Sequence, residues 1–173
     1  ENSDFYLNET NIFSLNRLGS NENFESGTNL TLGFDYEKED QTDKINFSIG
    51  QIINEKKNNK KMPDTSSLDN RFSDIVGSVK YKRYDNLNFD YNYSLDQNLK
   101  ETNFNEITAS YDANNIKFNF NYLEDDRSTI EKEYVINEIE IKSGDNSLFS
   151  LNNKRNLIKN SSEYYDLSYE YIN

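Results

Sequence analysis

The residue types that carry most enzyme and metal chemistry are scarce in this sequence. Its 173 residues include no His and no Cys, so the commonest general base, the commonest transition-metal ligand, thiolates and disulfides are all missing. Nucleophilic and general acid–base catalysis commonly depend on such groups. We therefore expect no catalytic residue, no metal site and no cofactor in this chain.

Two acidic pairs are the nearest approach to a metal site. Glu39-Asp40 and Asp125-Asp126 offer the oxygen ligands that calcium prefers. Calcium takes six or more converging oxygens, however, and no EF-hand-like spacing surrounds either pair. We predict that both pairs are solvated turn acids.

A lysine cluster is the clearest candidate for binding an anion. As compact point charges its side chains could pair with phosphate groups, and the cluster consists of Lys56, Lys57, Lys60 and Lys61. A solvated loop in a Lys-rich protein is the alternative. The formal net charge of −12 argues against nucleic acid as a partner, because contact with a phosphate backbone needs clustered Lys and Arg.

The aromatic content argues against disorder. Mean hydropathy is −1.00, which is low for a chain that must bury a core. The chain nevertheless has 13 Tyr and 11 Phe, and disordered segments are poor in aromatic residues. Its apolar runs are far shorter than the roughly 20 residues that a membrane-spanning helix requires. We expect the aromatic side chains to be buried or to face lipid.

Alternation of apolar and polar residues with period two is the dominant pattern, and it predicts β-strands. From 87 to 95 every second residue is Leu, Phe or Tyr, and the residues between them are Asn, Asp or Ser. The same pattern predicts strands at 29–36, 45–50, 73–83, 103–112, 116–122, 134–142 and 163–172. Segment 147–157 is ambiguous, because Leu148 and the pair Phe149 and Leu151 claim opposite faces. This makes nine strands and no helix.

The connections between these strands alternate in length. Those at 39–43, 84–86, 113–115 and 143–146 are short and rich in turn-forming residues. Those at 55–72, 97–102, 124–133 and 158–162 are longer and more charged. Outer-membrane β-barrels alternate short periplasmic turns with long outer loops in this way. Strands of about 8 to 11 residues also suit a tilted crossing of the hydrocarbon layer.

A soluble β-sandwich also has alternating strands, but the aromatic residues favour the barrel. They recur at strand ends, as the aromatic girdles of a membrane barrel do: Tyr36, Tyr81, Tyr93, Tyr111, Tyr122 and Tyr171. The opposite faces would line a hydrated lumen, which any porin would also have. The predicted lumen-facing residues are Asn29, Thr31, Asp35, Asn46, Ser48, Ser78, Lys80, Asn88, Asp90, Asn92, Thr108, Ser110, Asn119 and Asn121.

Residues 10–36 resemble the barrel of the LptD (organic solvent tolerance) family. Residues 11–17 read N-I-F-S-L-N-R and residues 25–36 read E-S-G-T-N-L-T-L-G-F-D-Y, which is similar to the family's N-x-F-x-x-N-R followed by E-x-G-x-x-x-x-x-G-x-x-Y. Residues 47–51 (F-S-I-G-Q) then match its F-S-x-G-Q strand, and the order of features at 73–77 and 87–93 also matches. The resemblance covers essentially the whole chain, and its most specific residues are Asn16, Arg17, Glu25 and Gly27.

Asn16 and Arg17 form the most specific pair of this motif. A guanidinium can fork onto a carboxylate, such as that of Glu25. We predict that Arg17 makes a contact that orders the loop and folds it toward the lumen, and an ordinary surface pair is the alternative. The link at 18–23 departs from the family's more aromatic, Arg-containing link, so the local loop contacts do not follow from the resemblance.

The resemblance implies delivery of lipopolysaccharide to the outer leaflet of the bacterial outer membrane through a barrel of about two dozen strands. It also implies an amino-terminal periplasmic β-jellyroll, an LptA-type bridge that contacts that domain, an LptE-like plug lipoprotein, surrounding membrane lipid, and lipopolysaccharide phosphates as partners of the loop lysines. Residues 1–173 would then be an internal fragment, about nine strands, of the transmembrane barrel domain. Two alternatives stay open: a general porin or substrate-specific channel, and a soluble carbohydrate-binding β-sandwich.

Overall fold

A computed structural model describes residues 5–14, 17, 27–57, 66–84, 86–128, 130–144 and 146–171. Within these residues nine strands follow one another: β1 (Asn29–Glu39), β2 (Asp43–Asn54), β3 (Ile75–Arg83), β4 (Leu87–Leu95), β5 (Thr102–Ala113), β6 (Ile116–Asp125), β7 (Lys132–Ser143), β8 (Ser147–Asn156) and β9 (Ser161–Tyr171). They form one open antiparallel sheet in chain order, with β1 and β9 at its edges. The prediction of an all-β chain with nine antiparallel strands is confirmed.

The period-two pattern gives the sheet two different faces. Cross-strand register keeps the faces in step: Tyr91 lies opposite Val79 and Ile107, and Asp90 lies opposite Thr108. Because each side chain points away from its neighbours in the strand, one face collects Leu, Ile, Phe and Tyr, and the other collects Asn, Ser, Thr and charged residues. We call these the apolar face and the polar face.

The register also assigns the ambiguous strand β8. Leu151 lies opposite Ile139 and Leu167, so Phe149 and Leu151 belong to the apolar face. Leu148, one residue after the strand begins, belongs to the polar face. A single apolar residue near a turn had made the period ambiguous in the sequence.

Some strands extend beyond their predicted limits at the end with the long connections. Asp125 of β6 pairs with Lys132 of β7, and Glu124 pairs with Glu133. These positions are charged on both faces, so alternation of polarity could not mark them. The backbone ladder continues there because its hydrogen bonds do not depend on side-chain polarity.

Tight turns and longer loops lie at opposite ends of the sheet. The connections after β1, β3, β5 and β7 are two or three residues long, and those after β2, β4, β6 and β8 are longer. In the first turn Oδ1 of Asp40 accepts hydrogen bonds from the backbone N–H groups of Thr42 and Asp43, both at 2.9 Å. The hydrogen bond from Thr42, followed by that from Asp43, holds the pKa of Asp40 below its ordinary value. Asp40 is thus a structural turn residue.

The segment of residues 5–14, which we call the strap, packs on the polar face of the first strands. Leu7 and Ile12 of the strap form a buried core with Ile52, Leu68 and Val76. Ile52 and Val76 are apolar residues on the polar face, and the strap covers them. Among the residues that the structure describes, no helix is long and apolar enough to cross a membrane.

Two facing glycines let the strap approach the sheet. Gly33 and Gly50 lie directly opposite each other in β1 and β2. A Cβ at Gly50 would lie 2.8 Å from Cδ1 of Ile12, and a Cβ at Gly33 would collide with the ring of Phe13. Glycine at both positions therefore allows side chains of the strap to rest on the backbone of the sheet.

Candidate functional site

The polar face of the sheet is the candidate functional site. The register places every residue that was predicted to face a lumen on this one face: Asn29, Thr31, Asp35, Asn46, Ser48, Ser78, Lys80, Asn88, Asp90, Asn92, Thr108, Ser110, Asn119 and Asn121. That they share a face follows from the register, and that the face lines a lumen stays a prediction.

Cross-strand hydrogen bonds connect the small polar residues of this face. The hydroxyl groups of Ser48 and Ser78 lie 3.1 Å apart, and Nδ2 of Asn88 donates to Oγ of Ser110 at 3.2 Å. Farther along, Nδ2 of Asn121 donates to Oγ1 of Thr108 at 3.1 Å. Such pairs stabilise the sheet and leave a hydrophilic surface whose remaining donors and acceptors can meet water or a sugar.

Charged residues on the polar face concentrate near the tight turns. Lys44 of β2 lies directly opposite Lys82 of β3, and Lys80 stands two residues from Lys82 on the same face. Together with Glu37, Asn46, Asn88 and Asp90 they line a cleft of about 400 Å³. We call it the basic cleft. The sequence did not predict this cleft, because its lysines come from two strands.

The strap reaches this cleft and also contacts β1. Its Glu9 carboxylate lies 3.5 Å from Nζ of Lys80. Nε of Arg17 donates to the backbone oxygen of Ile12 at 2.8 Å, and Nη2 donates to Oγ1 of Thr31 at 2.8 Å. Arg17 thus joins the strap to the polar face. Its predicted pairing with Glu25 stays a prediction, because Glu25 lies outside the described residues.

Arg127 contacts the strap near its first residues, at Tyr6. Its guanidinium stacks on the rings of Tyr6 and Phe104, 4.3 Å and 3.8 Å from their centroids. Nε and Nη2 donate to the two carboxylate oxygens of Asp125 at 2.9 and 3.0 Å. Both charged side chains are only 10% exposed. The prediction that Asp125 is a solvated turn acid is therefore wrong: β6 extends to it, and a buried bidentate ion pair holds it.

Asp74 connects the loop before β3 to the polar face. Its Oδ2 accepts hydrogen bonds from Oγ of Ser94 at 3.2 Å and from Nδ2 of Asn103 at 2.9 Å. Burial raises the pKa of Asp74 above its ordinary value, although these two hydrogen bonds act in the opposite direction. These hydrogen bonds of Asp74 join this loop to the ends of β4 and β5.

The apolar face is highly exposed. Phe34 is 58% exposed and Tyr165 is 67% exposed, and large apolar side chains continue across the sheet. Near the long loops, however, the face becomes polar. Tyr91 donates to Asn105 at 2.8 Å, and Asn105 donates to Glu124 at 2.8 Å. At this end of the face, tyrosine, amide and carboxylate side chains are therefore joined by hydrogen bonds.

The remaining predicted site residues are only partly described. Lys56 and Lys57 are exposed at the long-loop end, far along the strands from the basic cleft. Gly27 adopts a φ of +106°, which only glycine reaches without strain. Asn16, Glu25, Lys60 and Lys61 lie outside the described residues. In the described ranges no group of three or more acidic side chains could hold a metal ion.

The family model described as "LptD: LPS transport system D" matches residues 1–150. No curated protein matches the chain.

Proposed function

Because the chain belongs to the LptD family of lipopolysaccharide transport, we propose that its nine strands are a wall section of an outer-membrane barrel that passes lipopolysaccharide to the outer leaflet. The apolar face would contact lipid, and the polar face would line the lumen. The residues would be an internal part of the barrel domain of a longer protein.

The single observation that carries the membrane proposal is the exposed apolar face. Soluble monomers rarely expose apolar patches larger than a few hundred Å², yet large aromatic and aliphatic side chains are exposed from β1 to β9. Strands of 9 to 12 residues match the length that a tilted strand needs to cross the hydrocarbon layer. Loop lengths that alternate between the ends support periplasmic turns at one end and outer loops at the other.

The polar face supports transport of a sugar-rich head group. Hydroxyl, amide and charged side chains offer donors and acceptors along the face, and acyl chains would stay in lipid. No bond chemistry is required of this function. The proposed partners are lipopolysaccharide, an LptE-like plug lipoprotein, an LptA-type bridge that contacts an amino-terminal domain, and membrane lipid.

Depletion of the full-length protein tests the transport function. We expect lipopolysaccharide at the cell surface to fall as the protein is depleted and to recover when the wild-type gene is restored. Surface accessibility of lipopolysaccharide to an antibody provides the measurement. Unchanged surface levels after complete depletion would contradict the proposal.

A general or substrate-specific channel is the second candidate, since the same hydrophilic face suits diffusion. Liposomes that contain the purified protein separate the two functions. If they admit small sugars at the rate of a porin while depletion leaves surface lipopolysaccharide unchanged, the channel is favoured. A protein that stays folded and monomeric without detergent would contradict both barrel functions and favour the carbohydrate-binding β-sandwich.

A further inference from the structure

A pair of asparagines interrupts the apolar face at β7 and β8. One row of directly opposed residues crosses this face from β4 to β9 and is otherwise apolar or aromatic: Phe89, Ala109, Phe120, Asn137, Asn153 and Tyr165. Nδ2 of Asn137 donates to Oδ1 of Asn153 at 3.1 Å. In the next row toward the long loops, Arg155 lies opposite Val135. We call Asn137, Asn153 and Arg155 the amide patch.

The amide patch keeps most of its hydrogen-bonding groups available. Each asparagine carries two N–H donors, and within the described part of the chain a single N–H of the pair is used, by the bond between Asn137 and Asn153. Arg155 is exposed and donates to Oδ1 of Asn160, which leaves most of its guanidinium N–H groups for another acceptor. Hydrocarbon cannot accept these bonds, and polar groups without a partner are costly there. The patch therefore suits a polar occupant.

The charges beside the patch favour a neutral ligand over an anion. Glu133 lies on the same face, two residues from Val135, and it is directly opposite Glu124. Oε1 of Glu133 accepts a hydrogen bond from the hydroxyl of Tyr122 at 3.2 Å. These carboxylates offset the positive charge of Arg155 and would repel a phosphate. Hydroxyl groups both donate and accept hydrogen bonds, so a sugar can bond to the amides, the guanidinium and a carboxylate together.

Aromatic side chains flank the two amides. Phe120 lies opposite Asn137, and Tyr165 lies opposite Asn153. Tyr165 is 67% exposed, so its ring is accessible from outside the sheet. Small-molecule sites commonly combine apolar and aromatic walls with a few placed polar groups. The C–H surface of a sugar ring fits against such rings, and its hydroxyl groups would then meet the amides.

The place of the patch along the strands indicates which lipid could supply this sugar. Arg155 stands one residue before β8 ends at Asn156, and the amides lie one row deeper, about 7 Å along the strand. In outer-membrane barrels this end, with the long loops, faces outward. The patch would thus lie where head groups of the outer leaflet meet hydrocarbon. Toward the tight turn the same two strands are apolar, with Ile139 opposite Leu151 and Ile141 opposite Phe149.

We propose that the amide patch binds the sugar head group of a glycolipid that stays in the outer leaflet beside the barrel. The inference rests on the proposed function, in which the apolar face meets lipid and the long loops lie outside. The amides and Arg155 bind the hydroxyl groups, the rings of Phe120 and Tyr165 contact the sugar, and the acyl chains lie along Ile139 and Leu151. Because the patch is on the opposite face from the lumen, this lipid is separate from the one that is transported.

Lipid binding to the detergent-purified full-length protein, measured by native mass spectrometry, tests the patch. The probes are lipid A with both phosphates removed, diphosphorylated lipid A, and phosphatidylethanolamine, which has no sugar. We expect the double variant Asn137→Leu with Asn153→Leu to weaken binding of dephosphorylated lipid A about tenfold, the effect of losing one or two net hydrogen bonds. Arg155→Gln should weaken it about threefold. Phosphatidylethanolamine should bind wild type and variants equally.

Two matched controls replace the same residue types elsewhere. Arg83 is an arginine of the apolar face at the tight-turn end of β3, opposite Leu87 and 3.8 Å from Asp43. Asn119 and Asn121 are asparagines of the polar face. Arg83→Gln, and the double variant Asn119→Leu with Asn121→Leu, should both leave the affinity for dephosphorylated lipid A unchanged.

Three results would overturn the proposal. Equal losses in the two double variants would show a general effect of replacing asparagine. Diphosphorylated lipid A that binds at least tenfold more tightly than dephosphorylated lipid A, with the difference lost in Arg155→Gln, would show a phosphate site. Unchanged lipid binding in Asn137→Leu with Asn153→Leu, together with a higher urea midpoint, would show that the amides only pair the two strands and face hydrocarbon.

Photocrosslinking in cells tests the identity of the occupant. With a benzoylphenylalanine in place of Tyr165, we expect labelling of lipopolysaccharide, and labelling of a protein instead would overturn the lipid assignment. The transport function is tested separately. If the patch variants bind lipid normally while depletion still lowers surface lipopolysaccharide, the patch proposal fails and the transport function stands. If depletion leaves surface lipopolysaccharide unchanged, the transport function itself fails.

Discussion

Replacing Phe34 by Arg tests whether the apolar face of the sheet contacts lipid or water. Phe34 lies near the middle of β1 on the apolar face, and 58% of it is exposed. In water, an exposed Phe-to-Arg change alters stability by about 0.5 kcal/mol or less. In a bilayer, the exposed part of the ring contributes about 1–2 kcal/mol. An Arg near the midplane costs about 2–4 kcal/mol, which lowers the folding equilibrium constant about 30-fold to 900-fold.

The full-length protein folded into lipid vesicles is the sample for this test. Unfolding by urea is followed by the mobility shift between folded and unfolded protein on gels run without heating. Asp35→Arg is the matched control, because Asp35 is the next residue of β1 and lies on the polar face, opposite Ser48. Asp35→Arg should leave the urea midpoint nearly unchanged. Equal effects of the two variants, or a harmless Phe34→Arg, would refute the assignment of the apolar face to lipid.

Three further perturbations test the contacts of the strap, Arg127 and Asp74. Gly33→Val should displace the strap and lower the free energy of unfolding by about 1–3 kcal/mol, which faster proteolysis of residues 5–14 would detect. Adding Phe13→Ala to the same chain should restore part of the lost stability. Strictly additive effects of the two substitutions would contradict a contact between these residues. Arg127→Gln should cost about 3 kcal/mol because it strands buried Asp125, and a less damaging double variant with Asp125→Asn, measured by urea unfolding, would support the pair. Because the pKa of Asp74 is higher folded than unfolded, its carboxyl adds stability below the unfolded value near 3.8 that is lost as pH rises through the folded value. Stability of wild type relative to Asp74→Asn should therefore rise as pH is lowered from 7 toward 4, and a constant difference across that range would show that burial does not act on this group.

The strands were predictable because each is read from local sequence. Alternation between Leu, Phe or Tyr and Asn or Ser fixes which face a residue occupies, and a shift of one residue would reverse both faces. Alternation failed where polarity does not differ between faces, as at the joined ends of β6 and β7, and it placed the start of the third strand at 73, whereas β3 begins at Ile75. It was also ambiguous at Leu148, where one apolar residue stands on the polar face.

The contacts of the site were not predictable in the same way, because they join residues far apart in the chain. Nothing near Asp125 in the sequence indicates that Tyr6 and Phe104 enclose its partner Arg127. The basic cleft likewise depends on the register that sets Lys44 against Lys82. One signal was available: Gly33 and Gly50 interrupt the polar face of adjacent strands, and glycine within a strand often marks the close approach of another segment.

The strap has a mechanical consequence for the sheet. Each strand contacts only its sequence neighbours, so the sheet alone could bend freely about its strand axes. The strap and Arg17 cross this direction, with contacts to Thr31 in β1, Lys80 in β3 and Arg127 beyond β6. These contacts join β1, β3 and the loop after β6 across the sheet, so they limit how far the sheet can bend. Releasing the strap should make the sheet more flexible.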